Sequence, residues 1–68
     1  MGPKIESEPR RDSGLATVVE VARFLRISRS KVYQLMDQQV LGYVKLGKNR
    51  RVKWEIVYRY VEENTIGA

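Results

Sequence analysis

Between residues 15 and 25 the apolar positions Val18, Val21, Ala22 and Leu25 recur at i, i+3, i+4 and i+7, the spacing of one buried helix face. The stretch Thr17-Val18-Val19-Glu20 opens the run with the S/T-x-x-E form of a capping box, in which a hydroxyl and a carboxylate satisfy orphan amides reciprocally. The pattern predicts a first helix over about 18–25, with Leu15 as an apolar staple against Val21. Ser28 supplies a second cap, and Val32, Leu35 and Met36, with Gln39 at the margin, line one face of a second helix over about 29–38. Only Arg26 and Ile27 separate the two helices, so they must cross steeply, with Ile27 plugging the corner.

Two helices joined in this way have the layout of a helix-turn-helix. The period then changes. Residues 41–46 are β-prone, Gly47-Lys48-Asn49 offers turn chemistry, and 50–54 reads as a returning strand. This predicts a two-stranded hairpin with its tip at 47–50, in which Val44 and Leu46 share a face, as do Val52 and Trp54. A last helix over about 54–64 turns Val57, Tyr58 and Val61 inward. The fold class is therefore mainly α with a small β-wing, in the order helix-turn-helix-wing-helix, over residues 15–64. Residues 1–14 hold both prolines, Pro3 and Pro9, and mixed charge, which predicts a disordered tail. Residues 65–68 are expected to fray.

Composition narrows the chemistry. The 68 residues include neither Cys nor His, so a disulfide framework and the usual zinc ligands are excluded. The common nucleophile and base pairs go with them. Glu62 and Glu63 are adjacent on a helix and point about 100° apart, a poor geometry for shared acid/base work. The expectation is a protein that is no enzyme and takes no cofactor or metal. Apolar runs fall far short of the ~20 residues needed to cross a bilayer, which gives the expectation of a soluble intracellular protein.

Charge adds a partner. The formal net charge is +5, but residues 21–54 carry nine Lys and Arg against Asp37 alone, a local +8, while Glu55, Glu62 and Glu63 leave the end acidic. Such a block calls for a polyanion, and nucleic acid is the common one for a small soluble domain. On the second helix, with Val32 toward the core, Ser30, Tyr33, Gln34 and Asp37 project roughly opposite, flanked by Arg29 and Lys31. Arg29 and Gln34 are the candidates for reading base edges in a major groove. Ser30 suits either strand, Lys31 suits phosphate, and Tyr33 has a hydroxyl for phosphate and a ring for the helix flank. The plainer alternative is a solvated face with Tyr33 half-buried.

The wing residues Lys48, Asn49, Arg50 and Arg51 form the densest cationic point, suited to the negative potential of a narrow minor groove. Strand alternation sends Arg50 and Val52 to the opposite side from Arg51 and Lys53, so the four cannot serve one role. A charged edge that discourages strand pairing is the alternative. Arg23 and Arg26 either touch phosphate or complement the first helix's dipole. Thr17 is a cap first and a phosphate site second, and Trp54 suits the core better than base stacking.

From Thr17 to about Val61 the chain resembles the small winged helix-turn-helix domain of the excisionase family, relatives of the DNA-binding half of MerR-type regulators. The resemblance rests on Val19-Glu20-Val21-Ala22, on Ile27-Ser28-Arg29-Ser30-Lys31-Val32-Tyr33, on Val44-Lys45-Leu46-Gly47-Lys48, and on the closing run from Arg51 to Val61. It implies a prokaryotic or phage factor of the cytoplasm and nucleoid that binds double-stranded DNA. Such a recombination directionality factor prefers certain sequences, associates cooperatively with itself on repeated sites, bends the duplex, and steers a site-specific integrase towards excision. Gln39 stands where the family has Gly, Gly42 where Pro is frequent, Lys53 where Pro opens the last helix, and Ile56 where an acid is usual. An exposed Ile56 would hint at a protein contact. Two other readings stay open: a small MerR-like transcription regulator using the same motif, and a protein-interaction module whose basic wing docks an acidic surface with Ile56 and Tyr60 as anchors.

Overall fold

A computed structural model describes residues 14–67; the tail expected over 1–14 lies, except for Gly14, outside the described residues. The elements run β1 (Leu15–Thr17), α1 (Val18–Leu25), α2 (Arg29–Asp37), β2 (Val44–Leu46), β3 (Asn49–Lys53) and α3 (Trp54–Glu63). These three helices and a small antiparallel sheet form a winged helix-turn-helix.

Local signals set both helices of the motif. The Thr17 hydroxyl accepts from the Glu20 amide at 3.1 Å, and the Glu20 carboxylate accepts from the Thr17 amide at 2.9 Å, which completes the capping box. Ser28 accepts from the Lys31 amide at 3.0 Å and starts α2. The corner between the helices is a left-handed helix end. Arg26 sits at φ 58, its amide donates to the Arg23 carbonyl, and the Ile27 amide donates to the Ala22 carbonyl at 3.0 Å. That pair of bonds is the Schellman motif, and Ile27 just beyond it packs against the core. The expected staple is not formed by Leu15. Ala16 and Val21 are fully buried, whereas Leu15 is exposed, because Leu15 lies one residue further out on a strand and points to the other face.

The exit from α2 repeats the device. Gln39 has φ 60, its amide donates to the Met36 carbonyl, and the Val40 amide donates to the Leu35 carbonyl, both at 2.9 Å. Leu35 also accepts from the Leu41 amide at 3.1 Å. The backbone of 39–41 is thus spent on closing the helix, which is why the strand expected from residue 41 begins only at Val44. Left-handed backbone costs a residue with a Cβ about 1–2 kcal/mol, and glycine's greater freedom in the unfolded chain offsets about 0.4–1 kcal/mol of the relief. Gln39→Gly is therefore expected to stabilise the domain by about 0.5–1 kcal/mol, a rise of roughly 3–6 °C in Tm for this size. A thermal melt checks it beside Gln38→Gly, at φ −83, which should lower Tm.

The sheet has the order β1-β3-β2, with both pairings antiparallel. The expected two strands are joined by a third, β1, whose partners are Leu15↔Lys53, Ala16↔Val52 and Thr17↔Arg51. In the hairpin, Val44 faces Arg51, Lys45 faces Arg50 and Leu46 faces Asn49. The tip is accordingly Gly47 and Lys48 rather than 47–50. Gly47 has φ 64, as the first loop position of a type II′ hairpin turn requires. Because directly opposed residues share a face, Ala16 and Val52 turn to the core with Lys45 and Arg50 on their side. Leu15, Val44 and Leu46 lie on the other face, together with Arg51.

Trp54 opens α3 rather than ending the strand, and Lys53 caps that helix without a side-chain bond. The Trp54 ring stacks on Tyr58 at 5.8 Å and meets Phe24 edge-on at 5.5 Å. Val57 is fully buried, but Val61, expected inward, is exposed. Ile56 and Tyr60 are half-buried against the core, and Ile56 covers Gly42. Ile56 and Tyr60 are thus half-buried rather than fully exposed.

Candidate nucleic-acid interface

On α2 the buried residues are Val32, Leu35 and Met36, so the opposite face presents Ser30, Tyr33, Gln34 and Asp37 with Arg29 and Lys31 on its flanks, all six exposed. The first turn contains no acid. Arg29 and Lys31 stand instead at the positive end of the helix dipole, where each cation costs about 0.3–1 kcal/mol. The cost reverses when an anion is bound there.

Arg23 from the last turn of α1, Arg26 from the left-handed corner and Arg29 from the first turn of α2 line one open groove of about 390 Å³ floored by Val19, Ala22 and Ile27. Along the sequence these arginines fall into two separate groups. The corner made by the Schellman motif puts them together.

The wing divides its cations as alternation demands. Lys48 is exposed at the tip, and Lys45 is exposed beside Arg50 on the core side of the sheet. Asn49 and Arg51 share the other face, and the Arg51 guanidinium donates to the Arg50 carbonyl at 3.0 Å. Arg50 lies in the ladder rather than at the tip, with its side chain turned onto α2. Its Nη1 donates to Asp37 Oδ1 at 3.2 Å, and its guanidinium carbon is 5.4 Å from the Tyr33 ring centre and 4.8 Å from that of Tyr43. This contact joins the Lys45 and Arg50 face of the wing to the exposed face of α2. Sequence reasoning missed Tyr43 and Lys45; the alternation signal for both was present, but only the turn length sets its phase. The Thr17 hydroxyl oxygen accepts the capping bond from the Glu20 amide.

Among the described residues no group of acidic side chains gathers in a way that could hold a metal ion. No helix there is long and apolar enough to cross a membrane. A family model described as a helix-turn-helix domain matches residues 17–65, well over half of the chain. No curated protein and no solved structure matches it.

Proposed function

The chain belongs to the helix-turn-helix domain family, and from that premise we propose that it binds double-stranded DNA with α2 in the major groove and acts as an excisionase. The observation that carries the DNA reading is the start of α2, where Arg29 and Lys31 sit at the positive dipole end with no acid in the first turn, and Arg29 lines one groove with Arg23 and Arg26. An incoming phosphate makes that arrangement favourable. Arg29 and Gln34 then reach base edges, Ser30 supports them, Lys31 meets phosphate, and Lys48 tracks the backbone or the adjacent minor groove from the wing tip.

A module of this size buries only ~600–1,000 Å² on DNA. High specificity therefore needs several copies on repeated sites or a second DNA-bound protein. The excisionase resemblance supplies both, as cooperative self-association and a site-specific integrase. A small transcription regulator of the same winged-helix group would use the same motif, and the effect on excision separates the two.

The test is selection from a random duplex library, followed by affinity against salt on the enriched site. With about five phosphates neutralised, log K falls against log salt with a slope of roughly −4 to −5. Enrichment of direct repeats near one helical turn apart, with stimulation of excision when integrase is added, supports the full reading. A slope near zero removes the DNA reading. Tight binding with no effect on excision leaves a DNA-binding regulator.

A further inference from the structure

We propose that Arg50 is a positioning residue: it clamps the wing to the recognition helix and neutralises Asp37, and does not itself contact DNA. The proposal rests on the DNA-binding reading above and assigns a division of labour within it.

Arg50 meets α2 at three side chains spaced i, i+3 and i+4, the interval that shares one helix face. Its guanidinium lies over the Tyr33 ring, its Nη1 is 3.8 Å from the Met36 sulfur, and the same nitrogen is 3.2 Å from the Asp37 carboxylate. The Tyr43 ring covers it from the connection between α2 and β2 at 4.8 Å. Both rings are inside the ~6 Å range of cation–π attraction. Among the described residues, the hydrogen bonds, ion pair and ring contacts that join the hairpin to α2 all run through this one side chain.

The chemistry suits arginine alone. A planar guanidinium stacks on a ring with its face and donates to a carboxylate with its edge, whereas an ammonium is a compact point charge. Held in this way the side chain is only 28% exposed, with its charge balanced. Asp37 is the one acid in residues 21–54 and stands on the face of α2 offered to DNA. Unpaired, it would repel phosphate. The clamp therefore silences that repulsion and fixes the distance from α2 to Lys48 at the tip before DNA arrives, which lowers the ordering cost of binding.

The experiment compares wild type with Arg50→Lys, the charge-neutral pair Asp37→Asn/Arg50→Gln, and Lys48→Ala, by affinity against salt and by backbone order parameters of the free proteins. Arg50→Lys keeps the charge and is expected to bind about tenfold more weakly at an unchanged salt slope. In its free state the order parameters of residues 44–50 should fall below about 0.6 while the helices stay near 0.85. The neutral pair also keeps the slope, whereas Lys48→Ala loses about 0.9 of it. If Arg50→Lys binds like wild type with an ordered wing, or the neutral pair loses about 0.9 of the slope, Arg50 is a phosphate contact and the proposal fails. If wild type shows no salt-dependent DNA binding, the functional reading fails instead. The order parameters of the free proteins then still decide whether Arg50 holds the wing.

Discussion

Replacing Arg29 and Gln34 together with alanine is expected to lower affinity for the selected duplex by about 30- to 10⁴-fold, because each bidentate base contact is worth about 1–3 kcal/mol of discrimination. Binding to a scrambled duplex should fall much less. Only Arg29 carries charge, so the non-specific slope against salt drops by about 0.9. Both side chains are exposed on a helix whose buried side is formed by Val32, Leu35 and Met36, so the substitutions remove no buried side chain. Anisotropy titrations with both duplexes at about physiological salt make the comparison. An equal loss on the two would mean that these residues serve affinity and that specificity is read elsewhere.

The largest effect on stability is expected at Leu41, which is fully buried although it lies in a connection between elements. Truncation to alanine removes buried carbons and leaves a cavity, at about 3–5 kcal/mol for a site that cannot collapse. A core of this size supplies a net stability of only ~3–5 kcal/mol. Leu41→Ala should therefore be largely unfolded at 25 °C, and Leu46→Ala, at a half-exposed strand position, should stay within about 0.5 kcal/mol of wild type. Urea unfolding followed by circular dichroism measures both. A loss below about 1 kcal/mol at Leu41 would show that the connection repacks freely.

How much of the site was legible differs by element. The faces of α2 follow from Val32, Leu35 and Met36, so helical periodicity alone places Ser30, Tyr33 and Gln34 on the opposite side and Arg29 and Lys31 on its flanks. Separating Arg50 from Arg51 was equally legible, as strand alternation requires it. Which of them met α2 was not, because that depends on whether the turn closes at Leu46 and Asn49 or one residue later. A slip of one would exchange the two arginines. The groove shared by Arg23, Arg26 and Arg29 was also hidden. It needs left-handed backbone at Arg26, where a turn would ordinarily use glycine, and no residue type there announces it.

The sequence by itself determined the starts of α1 and α2, their N-caps at Thr17 and Ser28, and the inward and outward faces of each, because those features depend on neighbours within about four residues. Only the tertiary structure decided the rest. A three-residue strand such as β1 has no period to read, and its pairing with β3 exists because Ala16 and Val52 are buried together. Leu41 becomes core because the end of α2 captures its amide. Arg50 turns from the wing onto the recognition helix because the burial of Val52 sets the phase of β3. Alternation along a strand has no absolute direction until a partner strand and a core choose it.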